Sequence, residues 1–425
     1  MTNFYDLSKV ITLVSYLKQV CMSNSTNAVH LRTKGVLPVQ KLKILRDLGI
    51  LDSHPDYPIQ DSQFQPNSID LRLGEVAYRV RCSFLPENET VAQKIDKLEQ
   101  YSFSLKDGAV LEENCVYIIP LLEKLNLPKS HYAFQQQGQN NGAANGEDVQ
   151  LHSIENLTAK ANPKSSTGRL DVFTRVVTDY SHRFEEINAG YQGNLYLEVV
   201  PKSFSIKVKT GQRLNQLRMR HGFEVVPDQD LLRIHDTDPL LFDESIEPVT
   251  MEQIKVNKGL FMSVQLKGIY GEIIGYKAKK HVNYIDLNKI GHYKVDEFWE
   301  PLYANKDAYV ILEPEAFYIF ASKERIRVPA NLACEMMAYD TGSGELRTHY
   351  AGFFDSGFGG SVADKGARAV LEVRSHDVPF MIEDGQTLFS MQFEPNTEIP
   401  EYIYGADIDS NYQGQGLKLG KHFIQ

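Results

Sequence analysis

The chain has 425 residues, 42% hydrophobic and 24% charged, the balance of a soluble globular protein too long for a single ordinary core. Its formal charge of −10, from 55 acidic against 45 basic residues, argues against a protein that coats nucleic acid, because neutralising phosphates needs a basic surface. A small basic pocket for one triphosphate remains compatible with that balance.

From the N-terminus, residues 1–34 read as a peripheral arm. The apolar run from Val10 to Leu17 is broken by Thr12, Ser15 and Tyr16. It has no basic start and no small-residue cleavage site, which argues against a signal peptide. No stretch approaches the roughly 18 apolar residues of a membrane span. The expectation is a cytoplasmic protein bound to neither membrane nor nucleic acid. Next, VLPVQKLKILRDLGIL at 36–51 has the apolar spacing of a short helix. QQQGQNNGAANGEDVQ at 135–150 is polar and of low complexity, and reads as a disordered surface loop dispensable for catalysis. The acidic stretch 228–248 reads as part of an inter-repeat linker. Most other segments, such as LYLEVV, FSIKVK, AYVILE and RAVLEV, alternate apolar and polar residues between turn signals, which indicates a β-barrel or sandwich. No GxGxxG or GxxxxGK[ST] motif precedes a helix.

Comparing the chain with itself organises these pieces. Leu111, Glu112, Tyr117 and Pro128 match Leu312, Glu313, Tyr318 and Pro329 without a gap. Further on, Leu197, Glu198, Val199, Gly211, Gln212 and Leu214 match Leu371, Glu372, Val373, Gly385, Gln386 and Leu388. Two matches in the same order indicate a tandem duplication. The predicted division is an arm at 1–34, a first domain at 35–225 carrying the 135–150 insertion, a linker at 226–258, and a second domain at 259–425.

The densest anion-binding cluster is NPKSSTGRLDVFTR at 162–175. Lys164 adds charge, Ser165 and Ser166 offer hydroxyls, Gly168 allows close approach, and Arg169 can fork two phosphate oxygens. In the second repeat, HYAGFFDSGFGG at 349–360 forms a glycine-rich turn around Asp355, with Phe358 available to lie against a planar ring. Glu372 follows on a strand, and Glu198 is its counterpart in the first repeat. Cys21, Cys82, Cys115 and Cys334 are scattered with no CxxC pair, so they read as buried free thiols of a reducing compartment, with no metal ligands among them.

NSIDLRLG at 67–74, NPKSSTGRLDV, GYQGNLYLEV at 190–199, HYAGFFDSGFG and the tail SNYQGQG at 410–416 together resemble the dCTP deaminase branch of the dUTPase superfamily, in its long tandem-domain bacterial form. That resemblance implies a mainly β protein of two tandem dUTPase-like distorted β-barrel (jelly-roll-like) domains with a few short helices. It also implies hydrolytic deamination of dCTP to dUTP and ammonia, feeding dUMP and dTTP synthesis. Carried over, the phosphates fall to Lys164, Ser165, Ser166, Gly168 and Arg169, and the nucleoside pocket to His349, Ala351, Asp355 and Phe358. The water-activating base is Glu372 or Glu198. The tail contributes Tyr412, Gln413 and Gln415 to a segment that closes over the nucleotide, expected to be removable without harm to the fold. The resemblance further implies a homo-oligomer, with dTTP a candidate effector. The zinc deaminases need HxE followed by PCxxC, which this chain lacks. No protein-bound cofactor is therefore expected, and Mg2+ enters only with the triphosphate.

Two departures from the family pattern shape the expectation. The second repeat has YDTGSGELR at 339–347 where the SSxxR motif belongs. The first has Asn188 where the turn aspartate belongs, and lacks a tail. Each repeat is incomplete, so the predicted site is composite. A bifunctional deaminase and dUTP diphosphatase, a plain dUTPase, and a non-catalytic nucleotide-binding regulator are the alternatives.

Overall fold

A computed structural model describes residues 34–128, 156–269, 271–338, 346–348, 352–375, 377–405 and 416–424. The polar insertion, all but the last residue of the arm, His349, Ala351, Tyr412, Gln413 and Gln415 lie outside those residues.

The described chain is mainly β, with a few short helices. In the first half, Val116–Asn126 lies between Val76–Val80 and Gln192–Pro201, and Val172–Val177 closes the far side of that sheet. A facing sheet is built on Arg213–His221, which pairs with Leu157–Pro163, Ile69–Arg72 and Gly35–Val36. The second half follows the same plan. Phe317–Ile326 lies between Ile273–Ala278 and Ala367–Ser375, with Leu346–Thr348 beyond. Thr387–Pro395 pairs with Leu260–Ser263 and Leu332–Ala338.

The registers coincide as well as the order. Glu198 stands opposite Ile118 in the first half, and Glu372 stands opposite Ile319 in the second. Ile206 faces Leu111 in one small sheet, and Phe380 faces Leu312 in the other. A side chain that alternates inward on one strand therefore has a counterpart in the other half.

The halves share a core. Trp299, Phe298, Phe317 and Phe423 pack with Phe204, Leu170 and Val172 of the first half. Ile285–Asp286 also adds a parallel strand to the first half's Ile206–Val208. A second core around Phe320, Phe389 and Phe393 belongs to the second half alone.

The predicted first helix forms over Val39–Asp47 and buries Val39, Leu42 and Leu45, one stripe of an amphipathic helix. Gly49, at φ +68°, lets the chain turn out of it. The acidic stretch read as a linker is folded. Asp228–Thr237 is a helix that buries Leu231 and His235. The His235 ring accepts from the backbone N–H groups of Leu240 and Leu241 at 3.1 and 3.3 Å and bonds Val249 O at 2.8 Å. Two of the helix's three acids, Asp228 and Asp230, lie in the first turn, where negative charge favours a helix. Among the described cysteines only Cys334 is buried; Cys115 is half-buried and Cys82 is exposed, contrary to the expectation that all four are buried, while Cys21 lies outside the described residues.

Candidate active site

Between the first-half strands Leu157–Pro163 and Val172–Val177, the SSTGR segment makes one helical turn, Ser165–Gly168. The Thr167 hydroxyl and the Lys164 N–H both bond Leu214 O, at 2.8 and 3.0 Å, which ties the turn to the facing sheet. Ser165 is exposed, Ser166 is nearly buried, and Arg169 is buried. Lys164 pairs with the buried Asp70. Along this turn the two serine hydroxyls thus lie between the cationic Lys164 and Arg169.

Glu372 comes to this turn from the second half of the same chain. A Cβ placed on Gly168 would stand 2.4 Å from Glu372 Oε2 and 2.8 Å from its Cδ and Oε1. Gly168 is thus required by a close approach, and any larger residue meets the carboxyl. The Glu372 residue keeps some exposure, while its carboxyl is tightly enclosed by protein. Desolvation pushes its pKa to about 8, with Arg169 opposing the rise and Asp171 adding to it. At neutral pH it holds a proton it can exchange, the property expected of a proton shuttle.

Two residues that the sequence reading passed over hold this arrangement. Arg374, two positions after Glu372 and so on the same face of the strand, forms a buried ion pair with Asp171. Ser203 Oγ donates to Asp171 at 2.5 Å. Asp171 follows Arg169 by two residues, so the pair staples the second-half strand to the anion-binding loop. The i, i+2 spacing in LEVR was the available signal, since it puts Glu372 and Arg374 on one face of that strand.

Glu198 is placed differently. It is fully buried, with Arg175 donating to its Oε1 from Nε at 3.0 Å and Nη2 at 2.5 Å. Phe184, from the enlarged loop, covers that guanidinium at 3.6 Å. No residue of the SSTGR turn is among its partners. Of the two candidate bases, only Glu372 meets the anion-binding segment.

Asp355 and Phe358, expected in the nucleoside pocket, both have protein partners. Asp355 is buried and pairs with the fully buried Arg218 at 2.9 Å, with Ser68 Oγ 3.3 Å away. The same arginine bonds Cys334 O at 3.1 Å and lies 4.1 Å over the Phe353 ring. Asp355 thereby fastens the glycine-rich turn to the first half. Phe358 turns inward, edge-on to Phe354 at 4.8 Å and beside Tyr404 at 5.7 Å, so its ring fills the second core.

The end of the tail is anchored at the site. Arg169 Nη1 donates to Lys418 O at 2.8 Å. Leu419 and Phe423 are buried in the shared core, and Phe423 lies 5.9 Å from Trp299. Gly291 N–H donates to Lys421 O at 2.9 Å, and Tyr293 N–H to His422 O at 3.0 Å. Burial and the neighbouring Lys421 lower the His422 pKa to about 4, so this imidazole stays neutral at physiological pH. The expectation of a tail separable from the fold is corrected here: residues 419 and 423 are part of the core.

Among the described residues no three His, Cys, Asp or Glu side chains converge as a metal-binding group. A cleft of about 400 Å³ lies elsewhere, lined by Asp243, Glu244, Phe261, Lys323 and Glu324, and contains none of the residues above. Glu324 and Lys323 there are engaged by Ser263 and Asp384.

The profile of the 2'-deoxycytidine 5'-triphosphate deaminase N-terminal domain matches residues 33–143 and 147–223, and that of the C-terminal domain matches 227–423. A search of curated proteins finds no match. Among solved structures, the crystal structure of 2'-deoxycytidine 5'-triphosphate deaminase from Agrobacterium tumefaciens is 41% identical, with a TM-score of 0.74 over 86% of this chain and 100% of that one. With both domain profiles and this relative covering most of its length, the chain belongs to the 2'-deoxycytidine 5'-triphosphate deaminase family.

Proposed function

We propose that this chain deaminates dCTP to dUTP and ammonia at a single composite site, using a glutamate-activated water and no zinc. The observation that carries the proposal is the contact of the Glu372 carboxyl with Gly168, beside Arg169. Ser165, Ser166, Lys164 and Arg169 take the triphosphate, with Mg2+ arriving on the nucleotide. Glu372, as carboxylate, removes a proton from water as the water oxygen bonds to C4 of the cytosine. It passes that proton to N3, giving a tetrahedral centre with one hydroxyl and one amino group. It then moves the hydroxyl proton to the amino group. The C4–N bond breaks, ammonia leaves, and the C4 carbonyl forms. One carboxyl carries both protons in turn, and the charge balance closes without a metal.

In this reading the chain is a tandem pair of dUTPase-like barrels. The matching strand registers support that, as do the self-similar segments. A cytoplasmic homo-oligomer with dTTP as effector completes the proposal. The test is to incubate the purified chain with dCTP and identify the product. dUTP with ammonia is expected, while dUMP or an unchanged substrate overturns the assignment. Because clamp and base come from one chain, mixing inactive Arg169→Ala with inactive Glu372→Gln should restore no activity. Restored turnover would place the site between chains.

A further inference from the structure

Each half places a glutamate at the same point of its ungapped match, Glu123 in the first and Glu324 in the second. Each carboxylate accepts from a backbone N–H of the facing sheet: Arg72 N to Glu123 Oε2 and Ser263 N to Glu324 Oε2, both at 2.7 Å. Arg72 and Ser263 are register counterparts, since Arg72 faces Arg213 and Ser263 faces Thr387 beside the same strand irregularity. The halves part at the side chains. In the first, the buried Arg72 guanidinium lies on the carboxylate, donating from Nε to Glu123 Oε1 at 2.7 Å and from Nη2 to Tyr57 O at 2.6 Å. Arg213, opposite it, donates to Ser62 O at 2.6 Å and Ser62 Oγ at 2.8 Å. In the second half serine and threonine stand at both positions, and the cleft of about 400 Å³ opens there, lined by Ser263, Thr387 and Glu324. Leu241, on its wall, belongs to a strand that pairs with Phe317–Ile326 as Leu51–Ser53, close to Tyr57 in the chain, pairs with Val116–Asn126. Glu123 Oε1 accepts from Arg72 and Gln63, whereas Glu324 Oε1 accepts from the Ser263 hydroxyl at 2.6 Å. The adjacent Lys323 turns instead to Asp384 at 2.6 Å and Glu244 at 3.7 Å. The lining sets Asp243, Glu244 and Glu324 against Lys255 and Lys323, so carboxylates outnumber cations. A half-buried carboxylate in such a place is stabilised by a cation, and a planar guanidinium can donate to it with two parallel N–H groups.

We infer that this cleft is a binding site for a guanidinium cation, seated on Glu324 as Arg72 is seated on Glu123, and carried by a small molecule or by an arginine side chain of another protein. The inference stands apart from the deaminase reading, because none of its residues belongs to that site. Its test is calorimetric titration of the full-length chain with agmatine and with N-acetyl-arginine amide. Each is set against the analogue in which a urea replaces the guanidinium. At least one guanidinium compound should bind saturably, about 10-fold or more tighter than its urea analogue. The tighter of the two identifies the source, agmatine for a free small cation and the amide for a protein side chain. Glu324→Gln should weaken that binding about 10-fold or more, as for loss of a charge-assisted contact. Ser263→Arg, which restores the arginine of the first half, should abolish it by filling the cleft from within. If Glu324→Gln fails to fold, Ser263→Arg carries the test. No saturable binding of either compound up to about 10 mM overturns the inference. Equal binding of the urea analogues, or binding unchanged in Ser263→Arg, overturns it as well.

Discussion

Glu372→Gln separates the chemical role of this carboxyl from its cost to the fold. The side chain has a pKa of about 8 in the folded protein against 4.5 for an ordinary solvated glutamate. Below pH 4.5 it is protonated whether folded or unfolded, and its stabilising contribution relative to high pH is fully present. Between these values only the unfolded chain has lost the proton, so stability falls as pH rises and the loss is complete above about 8. At pH 7 the difference is about 3 kcal/mol as a ceiling, reduced to about half by the exposure the residue retains. Glutamine, neutral and of the same shape, mimics the protonated acid at every pH. Urea denaturation at pH 5 and pH 9 should therefore show wild type losing stability and the variant losing less. Catalysis should move the other way. Wild-type kcat/KM should rise with pH and level off near 8, because the carboxylate is the base, while the variant's kcat falls roughly 10²–10⁴-fold. Parallel stability profiles for the two proteins from pH 5 to 9 would refute the buried-acid argument. A variant kcat close to wild type would refute the role as base.

Gly168→Ala puts a methyl group into the space of the Glu372 carboxyl, and should lower kcat by at least about 10²-fold for a stability cost of about 1–3 kcal/mol. Combined with Glu372→Gln it should add little further loss in kcat, which kinetics of the double variant would check. Glu198→Gln should leave kcat within a few-fold of wild type and cost about 1–3 kcal/mol of stability, since Arg175 loses a buried partner but keeps a route to solvent. A loss in kcat matching that of Glu372→Gln would reverse the choice of base. Removing residues 410–425 deletes buried Leu419 and Phe423 along with the tail motif. It should lower stability by on the order of 5 kcal/mol or more as well as abolish turnover, and an unchanged melting temperature would count against the core anchoring.

Local pattern made the alternating strands, the self-similar segments and the helix at Val39–Asp47 legible, since period and repeat are properties of the chain itself. The pairing of SSTGR with Glu372 was also within reach, because each repeat visibly lacks what the other keeps. Composition misled at 228–248: the charges of that helix are on its outside, and only Leu231 and His235 are buried. Asp355 and Phe358 could not be placed from the motif alone. The first is committed to Arg218, 137 positions away, and the second to a core that exists only after folding. Asp171 and Arg374 escaped notice for a related reason. A buried ion pair between the two halves leaves no periodicity, and neither charge is unusual in its own segment.

Trp299 is the sole tryptophan of the chain, and it is fully buried. Phe204 of the first half, Phe317 of the second and Phe423 of the tail all pack on it, at 5.3, 6.0 and 5.9 Å. Among the described residues its indole N–H finds no hydrogen-bond partner. The molecule therefore carries its own optical gauge at a point where all three parts meet. Emission from so deeply buried an indole sits at short wavelength, and it shifts red when water reaches it. Separation of the halves and release of the tail end would both be visible in an unlabelled sample, and Phe423→Ala distinguishes the second event from the first.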